Sequence, residues 1–564
     1  MSNRKKIKTG AAIVGATVFL GAGISGAAPA GTSIGPRTTK DPYVIPINPA
    51  AVQIKSLLTT LDVPAGGATP YKMAGIPDGL GMYSDQGTIK FVANHELPAT
   101  SGVVRTHGSK GSFIASYSLD GPTSDVTDGK DLWPNAAAID YTGTGTGAVG
   151  GNDAFSRFCS GDLSTASSFY NASTGNGYNG SLYFAGEEDG ASPGRMVATD
   201  PLTGNAKVLT ALGRLSWENA LAANTSASDN TVIMGNHDSG PGYNNIYVGT
   251  KTNNGSIFDK AGLTNGTVYG YKVTTAGVID DATFRSTIGK GTAAPFSLTA
   301  ALSPTAQTVA AYQTDLAAKG AIKLDRTEDG AWDPQNPNDY YFLTTGSIAP
   351  TAAGGRGGLW KMTFADRTNP AAGGTLTLLL DGNEATTNAL TPDGPLYMAD
   401  NLTIDTHGHL IIQEDPGNDN YLARMWAYDI ATGGLKAIAT FDPAIFGSAG
   451  PVKSATGSGA GTPNNAATFI TRDEESSGVI ATEALLGADT FLFDAQVHTT
   501  ALPATYEVEN GQFLTMKVDF AALFGGLPTN VPEFQYPAIM AMAAGLGVGG
   551  FLLIRRRQPN TINS

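Results

Sequence analysis

The chain has 564 residues, 41% of them hydrophobic and only 15% charged, with 72 glycines and a formal net charge of −14. That composition supports a large core, suits a turn-rich exported β protein, and lacks the basic stripe of a nucleic-acid binder. The single cysteine, Cys159, excludes an intrachain disulfide and leaves three readings: a small buried hydrophobe, a metal ligand or an intermolecular link.

Residues 1–30 read as a signal peptide. Arg4, Lys5, Lys6 and Lys8 form a positive start, Gly10 to Gly26 is apolar, and Ala28-Pro-Ala30 resembles a small-residue cleavage site. No twin-arginine pair is present, which points to the general secretory route.

From about 40 to 525 the pattern predicts no long helix. Short apolar runs recur at Ile89–Val92, Ser112–Tyr117, Leu182–Phe184, Thr231–Met234, Val268–Val273, Tyr340–Thr344, Leu359–Phe364, Leu376–Leu380, Leu402–Ile404, Leu410–Gln413, Met425–Asp429 and Phe491–Phe493, separated by Gly, Asn, Asp and Pro. Leu402–Ile404 with Leu410–Gln413, and Trp426–Asp429 with Leu435–Thr440, read as hairpins. The expected fold is all-β, a β-propeller with irregular insertions, although no strict repeat of 40 to 50 residues is readable and a β-sandwich array competes. Ala293–Ala318 and Ala484–Gly487 read as short inserted helices, and Gly447–Asn465 as a mobile loop.

At the far end, the apolar stretch Tyr536–Ile554 precedes Arg555-Arg556-Arg557. Roughly 19 residues suffice to cross a bilayer, with the arginines on the cytoplasmic side. Residues 531–558 thus read as a C-terminal transmembrane helix. The tripartite end resembles the PEP-CTERM sorting signals of bacterial surface proteins, although Val531-Pro-Glu-Phe534 departs from the usual Pro-Glu-Pro. The chain is expected to be exported and held at the cell surface or outer membrane, or released outside the cell, with the membrane and a sorting protease as partners.

Short acidic clusters punctuate the central region: Asn94-His95-Glu96, Glu187-Glu188-Asp189, Trp217-Glu218-Asn219, Glu328-Asp329-Gly330, Gln413-Glu414-Asp415 and Asp473-Glu474-Glu475. Carboxylates at strand ends suit hard cations such as Ca²⁺, and a thiolate adds affinity for a transition metal such as iron. Trp217 and Trp332 read as core aromatics, and His407 and His409, flanking a hairpin glycine, as exposed turn residues.

Several strings occur in a telling order: Gly75-Ile-Pro-Asp-Gly-Leu-Gly81, Phe91-Val-Ala-Asn-His-Glu96, Arg105-Thr-His-Gly108, Arg157-Phe-Cys-Ser-Gly-Asp-Leu163, Gly186-Glu-Glu188, Arg326-Thr-Glu-Asp-Gly330, Asp400-Asn-Leu-Thr-Ile-Asp405, Leu410-Ile-Ile-Gln-Glu-Asp415 and Arg472-Asp-Glu-Glu-Ser-Ser-Gly478. In this order, across roughly 70 to 500, the chain resembles the PhoX-type alkaline phosphatases, exported bacterial phosphatases with a propeller fold. The resemblance implies a phosphomonoesterase that uses Ca²⁺ and Fe³⁺, with a phosphomonoester as substrate. It implies Cys159, Glu187, Glu218 and Glu328 as metal ligands, together with Glu96, Glu414 and Glu474. Arg157 and Arg326 are the expected phosphate-holding catalytic residues, with Arg105 a further candidate. The alternative is a non-catalytic, calcium-stabilised propeller acting as a surface, matrix or adhesion module.

Overall fold

The computed structural model describes residues 29–525 except 67–69, 122, 143–153, 189–193, 304–307, 347–356, 385–395, 418–421, 447–470, 472 and 500–507. The expected signal peptide (but for its last two residues), the mobile loop and the C-terminal anchor fall outside the described residues. Among the described residues no helix is long and apolar enough to cross a membrane.

The fold is all-β and propeller-like. Four separate sheets of four or five strands accompany one nine-stranded sheet that contains two further four-stranded meanders, joined through Ala294–Ala301. Each meander begins with one innermost strand: Pro77–Asp85, Phe158–Ser164, Trp217–Ala222, Thr327–Trp332, Ala399–Ile404 and Glu474–Ala481. These six pack side by side in chain order and the last lies against the first, which closes a ring. We number the meanders as blades one to six in that order.

The cores follow the same count. Six clusters of buried apolar side chains fill the six interfaces between neighbouring blades. Phe91 and Leu80 meet Phe513 and Leu492 between blades six and one, for instance, and Trp360 and Phe342 meet Met234 and Ile246 between blades four and three. A sheet with two apolar faces needs a neighbour on each side, and only a closed ring gives every blade two.

The ring closes with strands from both ends of the chain. In blade six, Val52–Thr59 pairs antiparallel with Asn510–Val518, which pairs with Thr490–Val497 and then Glu474–Ala481. Val44–Pro46 adds an edge strand to blade five beside Gly434–Phe441. Near the axis, inner strands approach closely where side chains vanish: a Cβ on Gly79 would stand 2.1 Å from the Gly161 nitrogen. Glycine at both positions is a steric requirement.

The apolar runs and both hairpins of the sequence reading coincide with strands. Ala293–Ala318 needs correction. Its first part is the strand Ala294–Ala301, and among the described residues of this stretch only Val309–Ala318 is helical. Alanine favours helix locally, but this run is held by ladders on both sides, to Thr267–Val273 and to Gly374–Asp381. Glu483–Leu486 is a short helix, as read.

One buried histidine bears on acid stability. His107 packs edge-on against Trp133, and its Nε2 has no hydrogen-bond partner among the described residues. Burial pushes its pKa down to about 4 from 6.5. The unfolded chain therefore takes up a proton below pH 6.5 that the folded chain refuses until about pH 4, so stability falls as pH drops through that window, by at most about 3 kcal/mol from this group. His107→Phe should lose less stability than the wild type between pH 6.5 and 4 in urea melts. Parallel pH profiles for the two proteins would contradict this.

Candidate metal centre

Strand geometry places one coordinating side chain from every blade at the same end of the axis. The second residue of each inner strand is Asp78, Cys159, Glu218, Glu328, Asp400 or Glu475. In the first five blades this residue falls within a register shift, where the inner strand carries one more residue than its partner. Such bulges bend a strand and re-aim a side chain, here toward the axis. A second ring follows the second strand of each blade, whose next residue is Glu96, Glu188, Asp238, Thr345, Asp415 or His498.

The result is a cavity of about 280 Å³ whose lining includes Cys159, Arg157, Arg326, His498 and nine carboxylates: Glu96, Glu188, Glu218, Asp238, Glu328, Asp400, Asp415, Asp473 and Glu475. Three donor groups have atoms within 4.8 Å of one another: Asp78, Glu96 and Cys159; Glu218, Glu328 and Asp400; and Asp400, Asp415 and Glu475. Asp400 is shared by the last two.

The two arginines enter from strained positions. Arg157 and Arg326 each stand immediately before an inner strand with φ of 49° and 58°, a region costly for any residue with a Cβ. Ile76 and Met398 take the same conformation before blades one and five. The turn into the inner strand thus repeats, and twice it carries a guanidinium to the cavity. Arg157 bonds Glu96 at 2.7 Å and Glu188. Arg326 grips Asp238 with two 2.8 Å bonds and lies 3.4 Å from Glu328.

Two arginines cannot neutralise nine carboxylates. Burial first, then the neighbouring acids, pushes Asp78, Glu218, Asp400 and Glu475 well above the usual carboxylate range. The same causes, opposed by Arg326, push Glu328 up to about 8. Glu188 also rises through burial despite Arg157. Burial and the surrounding carboxylates push up the Cys159 thiol. Asp238 is held low, because the bonds from Arg326 outweigh its burial. Partial burial lowers His498, yet its 2.9 Å bond to Glu509 raises it to about 9. These are groups waiting for a cation. The orphaned Oε1 of Glu218, buried with no hydrogen bond among the described residues, says the same. The donor chemistry fits two kinds of ion: a thiolate with two carboxylates suits iron, and all-oxygen groups suit Ca²⁺.

Of the residues expected from sequence, the structure brings Cys159, Glu96, Glu218, Glu328, Arg157 and Arg326 to the cavity. It does not bring Glu187, Glu414 or Glu474 there. Their chain neighbours Glu188, Asp415 and Glu475 line it instead, because successive side chains along a strand face opposite ways. Glu187 spends both oxygens on buried Arg195, at 2.6 and 2.8 Å, and Glu414 is held by Arg424 and the Trp426 indole. The two are equivalent: a glutamate ends the second strand, and an arginine stands just before the third in blade two and opens it in blade five. Arg105 is likewise structural, paired with Asp131 and seated over the Phe113 ring 3.7 Å away. Asp78, Asp238, Asp400 and His498 were missed, and Asp473 was read only as part of its acidic cluster; each stands next to another polar residue or a glycine that gives no sign of which side chain meets the axis.

In sequence, residues 166–446 match the family described as alkaline phosphatase PhoX. No curated protein matches the chain. In structure, Pseudomonas fluorescens PhoX in complex with vanadate, a transition state analogue, aligns with a TM-score of 0.55 at 14% identity, covering 85% of this chain and 96% of that one. A luciferin-regenerating enzyme aligns at TM-score 0.31 and 9% identity over 79% and 92%, and a protein of unknown function from Dyadobacter fermentans at 0.35 and 6% over 82% and 99%. Those two scores are too low to bear on the site.

Two outcomes test the geometry. Adding Ca²⁺ to metal-free protein at pH 7 in weak buffer should release protons, because carboxyls held protonated by burial must ionise to bind; the share from Glu328 should shrink as pH rises past about 8. A pH-stat that records none would contradict the arrangement. Glu187→Gln, which breaks a buried ion pair, should cost on the order of 3–5 kcal/mol of stability with metal content of the folded protein intact, whereas Glu188→Gln should do the reverse. The chain is thus similar in sequence to the alkaline phosphatase PhoX family over residues 166–446, and similar in fold to Pseudomonas fluorescens PhoX over 85% of its length.

Proposed function

We propose that this protein is a metal-dependent phosphomonoesterase working in the axial cavity, exported and anchored at the cell surface by its terminal segments. The observation that carries the reading is the sixfold placement of ligand side chains with two arginines set among them. The PhoX likeness supports it, since the similar Pseudomonas fluorescens PhoX is in complex with vanadate, a transition state analogue.

In this reading Cys159, Asp78 and Glu96 would hold iron. Glu218, Glu328 and Asp400, with Asp415 and Glu475, would hold calcium. Such ions, when bound, supply positive charge against the phosphoryl oxygens and activate the attacking oxygen. Arg157 and Arg326 bind and orient the phosphate, exchanging part of their carboxylate contacts for phosphoryl oxygens. Arg326 stays charged throughout, because Glu328 and Asp238 outweigh the cost of its burial. His498, protonated at neutral pH beside Glu509, adds a third positive group. Phosphate monoesters hydrolyse extremely slowly unaided, so this concentration of charge is what the reaction requires.

With metal-loaded protein and p-nitrophenyl phosphate, Arg326→Ala should lower kcat/KM by roughly 10²–10³-fold. Cys159→Ser should lower both iron content and activity while calcium content holds. Wild-type protein that carries iron and calcium yet hydrolyses no phosphomonoester would overturn the proposal and leave the calcium-stabilised adhesion module.

A further inference from the structure

A second set of metal-ligating side chains lies at the other end of the inner strands, about 17 Å from the first, given the five-residue rise from Asp400 to Asp405. Asp405 directly follows the inner strand of blade five, and His407 sits in the turn after it. Glu483 opens the short helix at the corresponding turn of blade six. Atoms of all three lie within 4.8 Å of one another.

The cluster mixes one imidazole with two carboxylates drawn from adjacent blades. Asp405 is fully buried and rigidly held: Oδ1 accepts from the His407 and His409 amides, and Oδ2 accepts the His409 ring at 2.7 Å. That ring is clamped in turn by stacking on Phe520, centroids 3.9 Å apart. Glu483 Oε1 accepts the Thr406 amide at 2.8 Å, while Oε2 is buried with no hydrogen bond among the described residues. No lysine or arginine among the described residues pairs with either acid. His407 is 56% exposed, with its Nδ1 4.0 Å from Asp405 Oδ2, so its ring is free to turn toward a shared ion.

We propose that Asp405, His407 and Glu483 form a divalent transition-metal site of the Zn²⁺ class that clips blade five to blade six. Imidazole nitrogen and carboxylate oxygen are both donors that Zn²⁺ accepts, and the imidazole disfavours Ca²⁺. The His409–Asp405 bond supplies the outer hydrogen bond that orients a ligating carboxylate. The site is independent of the phosphatase reading. Its position beside the blade that joins the chain ends makes it a brace on ring closure.

The test uses chelator-treated full-length protein titrated with ZnCl₂ at pH 7.5. Because the axial cavity also takes metal, the readout is the difference between wild type and two variants: His407→Ala, at an exposed ring, and Glu483→Gln, which keeps the Thr406 bond. Each should bind one fewer equivalent of Zn²⁺, or bind it at least tenfold more weakly. Each should also show a smaller Zn²⁺-induced rise in Tm, with phosphomonoesterase activity unchanged. Matching stoichiometry, affinity and Tm response in His407→Ala and wild type would overturn the proposal, as would weak binding that neither substitution alters. Circular dichroism of the metal-free variants identical to wild type excludes misfolding as the cause of a loss.

Discussion

Crowding like charges where water is scarce is the constraint on which this molecule turns. Nine carboxylates and a thiol share about 280 Å³ with two arginines and a histidine. In such surroundings an acid must be protonated, paired or bound to a cation. The arginines pair part of the set, burial protonates part, and the remainder has the spacing that cations demand. The six interblade cores oppose the mutual repulsion by fixing where each inner strand starts.

The fold converts sequence into chemistry through position more than through motif. Every inner strand offers its second residue, and every second strand offers the residue just past its end. A bulge at the inner strand turns the first kind inward, and the turn into that strand carries the arginines. The same frame accepts a thiolate in blade two, where the other five blades present carboxylates, and a threonine or a histidine in the outer ring. That tolerance explains how one ring can hold soft and hard cations side by side.

Much of the architecture was legible in the chain. Apolar runs of four to eight residues broken by Gly, Asn and Asp mark strands because a half-buried pleat needs them. The closed ring was not visible as a repeat, since insertions such as Ala294–Ala301 and Val309–Ala318 space the blades unevenly. At the site, Glu218 and Glu328 could be read because each is the single glutamate of its motif. Pairs were harder. In Glu187-Glu188, Glu414-Asp415 and Glu474-Glu475 one member lines the cavity and the other does not, and only register decides which. Arg195 and Arg424, which claim Glu187 and Glu414, lie several residues downstream with nothing in the sequence to link them to those acids. Asp400 and Asp238 stand out only once the ring is known.

A strand from near the start of the chain and the last described strand lie side by side, and this sets a condition on how the ring can close. Val52–Thr59 stands near one end of the sequence and its partner, Asn510–Val518, near the other, so their pairing needs almost the whole chain. Until they meet the molecule is an open crescent with two bare sheet edges, the kind of surface that recruits other strands. Glu475 and His498 also arrive with this final blade, so no complete cation pocket exists before the crescent shuts. Birth of the binding site and burial of the last sticky edge are therefore a single event.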